Sequence, residues 1–496
     1  MKAFWRVFEW VTEVLPFLFV FVASMYLPTD PDLGWHLKYG EYFFKYGGVL
    51  RNNTFSTLMP NFKWANGQWG TDVLTYAAFH IGGFLGLTLV SALVVTLAFY
   101  FFAKVCRLGI AEKSLLFPLL IYLESPINSV SLRGQQISLT LIGVLCLTLS
   151  RYKASPKNLF WLPVLFLFWA NIHEQFFMGF GILGVWIGIT VIRDFIKKYG
   201  IASPFHGLAM TINRSEIKNA GYLIFIFVLS SLVTLINPFG WGIHVVALSH
   251  FASPLLKDIA EYLPFTFASQ LWWNQIVIGI LVVFGIIFLF FKEELLDSMP
   301  IILTAFLLIG LSFEVRRYAW PAYYMITPIL APLVAFVAPS SKRDKLYYGF
   351  VISTISLIFI VYFKWPMSSY SSANWNSYCR SGNTMCSPPS AEYLRKHKLT
   401  HNLFSLYGWG GWLIWNYQGL KPTIDGRMHL WREGVYSGFE DYYKFEQNMN
   451  DVDKSSYDIV YMPPGKPIYK RMYKLVREKK WKKVYEDKLA GIFVRL

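Results

Sequence analysis

The stretch Phe84-Leu-Gly-Leu-Thr-Leu-Val-Ser-Ala-Leu-Val-Val-Thr-Leu-Ala-Phe-Tyr-Phe-Phe102 carries no charged side chain. A helix needs roughly 20 apolar residues to cross the hydrocarbon core of a bilayer, and this run comes close. Val14–Leu27, Ile276–Phe291 and Phe350–Phe363 are similarly free of charge. The composition agrees: of 496 residues, 55% are hydrophobic, 19% aromatic and only 15% charged. Soluble domains carry about 25% charged residues. A purely soluble enzyme, a disordered chain, a secreted disulfide scaffold and a coiled coil are excluded. The chain reads as an α-helical polytopic membrane protein.

Eleven spans are expected, near 10–28, 83–103, 114–128, 136–150, 158–172, 177–193, 220–236, 272–291, 299–313, 318–337 and 346–363. No small-residue cleavage site follows the first, which reads as a retained span and not a signal peptide. With the N-terminus inside, the inner ends hold 17 Lys and Arg and the outer loops 8. That bias fits a plasma-membrane protein whose loop 29–82 and C-terminal region both lie outside.

The expected domains are therefore 1–363 in the membrane, including outer loop 29–82, and 364–496 outside it. Residues 70–82 read as an amphipathic interfacial helix. In the tail, helices are expected at Ala391–Lys398, Trp412–Tyr417, Tyr436–Glu446 and Pro467–Lys480. Strands are expected at Asn402–Leu406, Lys421–Ile424 and Asp458–Met462, and a hairpin closes the chain. Such alternation predicts a small α/β domain. Cys379 and Cys386 flank a polar loop and would bridge only on an oxidising side. Nine basic residues against one acid crowd Lys466–Lys483. Outside the cell that run suits anionic lipid or glycan, not nucleic acid.

The chemistry concentrates at Asp30-Pro-Asp-Leu-Gly-Trp-His-Leu-Lys-Tyr-Gly-Glu41. Asp30 and Asp32 suit either a divalent cation or a base for an incoming hydroxyl. Either one also suits the cap of a helix starting near Leu33. Asp32 and His36 lie one helical turn apart, and Glu41 follows. Asn66, Gln68 and Trp69, with Asp72 just beyond, combine amides and an indole as a sugar site would, or as an interfacial belt would. Arg133, His173, Glu174, Arg316 and Arg317 sit at outer ends of spans, where charge is costly and marks function or pairing. Arginines there suit a phosphate, or snorkel to headgroups. In the tail, Trp409 lies in a glycine-rich aromatic run, and Asp425 and Arg427 follow an expected strand, where α/β domains bind ligands. Packed core is the competing reading for all three.

In order, these motifs resemble the GT-C superfamily of polytopic glycosyltransferases. The likeness is to a prokaryotic branch with an Asp-Pro-Asp-Leu-x-Trp-His-Leu-x-x-Gly-Glu start, here Asp30 to Glu41. The same branch has elements matching Asn66 to Trp69, Trp169 to His173, Asn237 to Trp241, Trp409 to Trp415 and Ile424 to Arg427. The resemblance implies an outer active site with Asp32 first and Asp30 second as base or metal ligand, Mg or Mn being the cofactor it allows. His36 and Glu41 would complete the catalytic set. Arg133, Arg316 and Arg317 would meet the phosphate of a lipid-linked sugar donor, and Asn66, Gln68, Trp69, His173, Glu174, Trp409, Asp425 and Arg427 would line the substrates. Transfer to a protein, lipid or glycan acceptor would be inverting, with membrane lipids around the enzyme. The chain is more distantly similar to oligosaccharyltransferase catalytic subunits, whose Trp-Trp-Asp-Tyr-Gly element reads the acceptor asparagine. Here the corresponding stretch, Tyr407-Gly-Trp-Gly-Gly, has no acid. The alternative is a transporter or flippase of lipid-linked glycans, or a non-catalytic glycan-binding protein. A transporter would place its charges near the midplane in related halves, and neither feature is present in the sequence.

Overall fold

The computed structural model describes residues 2–130, 132–151, 156–199, 214–252, 259, 262–267, 270–291 and 295–496. The apolar runs form helices α1 (Lys2–Ala23), α2 (Leu33–Tyr46), α3 (Trp69–Val105), α4 (Ile110–Asn128) and α5 (Gly134–Arg151). They continue as α6 (Leu162–Ile172), α7 (Phe176–Tyr199), α8 (Arg214–Val233), α9 (Gly242–Ala252) and α10 (Gln270–Phe291). Then follow α11 (Leu295–Glu314), α12 (Ala319–Met325), α13 (Thr327–Val337) and α14 (Lys342–Lys364).

Three helices among the described residues are long and apolar enough to cross a membrane: Trp69–Val105, Leu271–Phe291 and Lys342–Lys364. The pair Arg316–Met325 and Thr327–Val337, bent by 46°, would make a fourth. The expected eleven spans are thus not reproduced. Several expected spans fall on short helices, such as the 11 residues of α6 and of α13. Leu93, Phe284, Ile355 and Phe359 are exposed on their helices, which suits lipid contact.

The interfacial helix expected over 70–82 and the span after it are the two halves of α3. They meet at Gly83, whose φ of 57° lies in the left-handed region that glycine tolerates.

In the tail, strands β1 (Leu403–Ser405), β2 (Arg432–Glu433), β3 (Tyr436–Ser437), β4 (Ile459–Met462), β5 (Trp481–Glu486) and β6 (Gly491–Arg495) form two sheets. The larger has the order β1-β4-β6-β5, with β1 parallel to β4 and the other pairs antiparallel. Strands β2 and β3 form a separate small hairpin that the residue pattern did not announce. The strand expected at Lys421–Ile424 is absent. The carbonyls of Pro422 and Thr423 accept instead from the amides of Thr57 and Leu58, in the outer loop. Thr423 reaches strand β1 through side-chain bonds with Ser405 and by donating its hydroxyl to the Leu403 carbonyl at 2.6 Å.

The outer loop and tail share a core. Leu33, Leu37, Ala78 and Phe84 pack with Trp409, Trp412 and Leu413. Close approach demands glycine here: a β-carbon on Gly34 would lie 1.8 Å from the Gly411 carbonyl oxygen. Cys379 and Cys386 form a disulfide.

Candidate active site

The chain leaving α1 turns at Asp30-Pro-Asp before α2. Arg133, in the turn before α5, donates from Nε to Asp30 Oδ2 at 2.5 Å and from Nη2 to Oδ1 at 2.6 Å. Tyr378 Oη donates to the Asp30 carbonyl at 2.5 Å. Burial works against the Asp30 carboxylate, but the Arg133 guanidinium prevails and holds it below the usual range.

Asp32 occupies the N-cap position of α2 without a side-chain capping bond. Its carboxylate instead lines a cavity, and burial followed by the Asp30 charge pushes its pKa up to about 6. His36 turns to Asp72, with Nδ1 2.6 Å from Oδ1, while Asn66 Nδ2 donates to Asp72 Oδ2 at 2.6 Å. Burial opposes the imidazolium, yet the Asp72 carboxylate keeps its pKa above the ordinary value.

The cavity measures about 610 Å³, and Asp32, His36, Asn66, Gln68 and Arg133 are among the residues that line it. Glu174, His250, Arg317, Arg427 and His429 line the rest. Glu174 Oε1 lies 3.5 Å from His250 Nε2 and 3.7 Å from Arg317 Nη2. The neighbouring His250 and Arg317 outweigh burial and hold Glu174 below its ordinary pKa. Arg317 also covers the Tyr262 ring, 5.2 Å from its centroid. A second cavity of about 390 Å³ shares Glu174, His250, Tyr262 and Arg317 with the first. It continues between α7 and α11 over Phe177, Met178, Ile182, Leu307 and Leu311, an apolar groove with a charged end.

No protein-family model matches the sequence, and no curated protein matches it. Solved structures do. The oligosaccharyltransferase of Archaeoglobus fulgidus in its apo form aligns with a TM-score of 0.54 at 13% identity, over 93% of this chain and 70% of that one. Archaeal oligosaccharyltransferase AglB from Archaeoglobus fulgidus, solved with an inhibitory peptide and a dolichol-phosphate, aligns at 0.57 and 12% identity over the same shares. The chain has the GT-C fold.

Within this GT-C fold, several expected site residues lie away from the cavity. Glu41 pairs with Lys38 at 2.5 Å on the outside of α2. Trp69 Nε1 donates to Asn171 Oδ1 at 3.2 Å, joining α3 to α6. His173 is buried with Nδ1 2.9 Å from Ser138 Oγ, and burial lowers its pKa to about 3, as a packing histidine. Arg316 donates from Nε to the Pro264 carbonyl at 3.0 Å and lies over Phe265. Trp409 is buried and donates to the Thr384 carbonyl at 3.1 Å. Asp425 is sealed beneath the cavity, bound to Arg427 at 2.7 Å through both oxygens. His250, His429 and Tyr378 were not singled out from the sequence. Each acts through a contact with a residue far away in the chain.

The first-loop carboxylates do not suit a divalent cation in this arrangement. Both Asp30 oxygens are engaged by Arg133, and the acid nearest to His36 is committed to it and to Asn66. Of the three, Asp32 alone lines the cavity, and one carboxylate does not make a cation site.

Proposed function

We propose that the protein is a membrane glycosyltransferase that moves a sugar from a polyprenyl-phosphate-linked donor to an outer-face acceptor, with inversion. One observation carries this reading: Asp32 and Arg317 line the same cavity, and that cavity runs into an apolar groove between α7 and α11. A lipid tail suits the groove and its phosphate suits the charged end. The dolichol-phosphate bound by the archaeal neighbour supports a lipid-linked donor.

In the reaction, Asp32 takes the proton of the acceptor as the acceptor atom bonds to the anomeric carbon. The bond from that carbon to the donor phosphate oxygen breaks, and its electron pair leaves on the lipid phosphate. Arg317 meets the charge as it develops. Arg133 acts one step back: by neutralising Asp30 it limits like-charge repulsion on Asp32. The peptide bound by the same neighbour supports a peptide acceptor. Asparagine reading by the glycine-rich aromatic element is not supported, because that element has no acid and its Trp409 is buried. The inside position of the N-terminus and the outer position of the tail also belong to this proposal. The disulfide, which needs an oxidising side, supports them.

The test is transfer of a labelled sugar from synthetic polyprenyl-phosphate donors by the purified protein in lipid, beside Asp32→Asn and with and without a chelator. Turnover lost in the variant supports the reading. Donor binding without turnover in the wild type would favour transport or glycan recognition instead.

A further inference from the structure

Five Lys and Arg residues line the larger cavity against two acids, Asp32 and Glu174. Three of the five are matched: Arg133 to Asp30, Arg317 to Glu174 and Arg427 to Asp425. Lys63 and Arg432 are exposed and make no ion pair among the described residues. The pairing of Arg427 is also incomplete. Its Nε and Nη2 are taken by Asp425 and Asn53, while Nη1, on a buried side chain, has no hydrogen-bond partner among the described residues. The guanidinium lies 5.2 Å from the ring centroids of Trp64 and Trp431, and Trp64 Nε1 likewise has no acceptor. Ammonium, guanidinium and indole N–H groups only donate.

A buried donor without an acceptor costs free energy that a ligand oxygen can return. Cationic donors gain most from a charged oxygen, and arginine fits carboxylate or phosphate with paired bonds. We propose that this part of the cavity binds an anionic oxygen group, a carboxylate or a phosphate, which the transferred sugar or the acceptor carries in addition to the lipid phosphate. Lys63, Arg427 and Arg432 line the larger cavity alone, whereas Arg317 lines both cavities, where the apolar groove begins. The two anions are thus met by different cations. Gly426, next to Arg427, packs against Asp32, so the subsite adjoins the proposed base. The division between lipid phosphate and second anion rests on the transferase reading, while the surplus of donors does not.

The probes are trigalacturonate beside its neutral methyl ester, and an aspartate-containing heptapeptide beside its asparagine counterpart. Each is titrated calorimetrically into the full-length protein in detergent, without donor lipid. At least one acidic probe should bind at least tenfold more tightly than its neutral counterpart, and which probe does so tells a sugar source from a peptide source. The double variant Lys63→Gln with Arg432→Gln should lose that preference and keep the wild-type size-exclusion profile, both side chains being exposed. Lys488→Gln, on the exposed tail surface, should retain it. Should the double variant fail to fold, each single variant serves, with at least a threefold loss of preference expected. Equal binding of acidic and neutral probes, binding of none, or a preference that survives the Lys63 and Arg432 variants would overturn the proposal. None of these readouts needs turnover, so acid preference in a protein that transfers no sugar would overturn the transferase reading alone.

Discussion

Gly426 leaves room for the Asp32 carboxylate: a β-carbon on Gly426 would lie 1.8 Å from Asp32 Oδ1. The two residues come from opposite ends of the chain, so the C-terminal region forms part of the wall behind the proposed base. Gly426→Ala should cut transfer at least tenfold and cost about 1–3 kcal/mol, as overpacking does. Gly382→Ala, where an added β-carbon meets nothing within 4 Å, should change neither. Thermal unfolding beside the transfer assay checks both.

The pH dependence follows from the position of Asp32. A base works deprotonated, so with a pKa of about 6 the rate should fall towards tenfold per unit as the pH drops below that value, and level off above it. The negative charge of Asp30 is one cause of the raised value. Asp30→Asn should therefore move the acidic limb of the kcat/KM profile to lower pH. A limb that stays in place would remove Asp32 from the role of base.

Asp425 and Arg427 form a pair with both side chains sealed from solvent. Asp425→Ala leaves a guanidinium without its counter-charge and should destabilise by about 3–5 kcal/mol. Asp425→Leu combined with Arg427→Met should cost less than Asp425→Ala alone, because neither partner is then left charged. Denaturation of the three forms in the same detergent gives the comparison.

The disulfide reaches the site through its loop. Tyr378 bonds the Asp30 carbonyl, and Asn383 Nδ2 donates to Thr29 Oγ1 at 3.1 Å. Tyr378→Phe should lower transfer several-fold with little change in unfolding temperature. Replacing Cys379 and Cys386 by serine should lower both, since the link also restricts the unfolded chain. Activity unchanged in Tyr378→Phe would limit that loop to a structural role.

Much of the fold was legible because charge-free runs and turn residues act locally. The tail helices at Pro388–Lys396 and Pro467–Arg477 and the closing hairpin fall close to where the residue pattern puts them. Lys421–Ile424 misled because an extended, apolar segment looks the same whether its bonds go to a sheet or to a loop. The Asp30-Pro-Asp stretch drew attention through its composition. Which carboxylate stays open to the cavity was decided by Arg133, 103 positions away.

The sequence by itself determined the helical membrane character, because hydrocarbon accepts only backbone that satisfies its own hydrogen bonds. It also placed the charges at helix ends. Tertiary structure alone separated Arg317, on the cavity, from Arg316, turned to the Pro264 carbonyl, although the two are adjacent in the chain. Neighbours in sequence share composition and local pattern, but the direction of each side chain is set by what packs against it. The facing of His250 and His429 was decided in the same way, by helix α9 and the Gly426 turn meeting over the cavity.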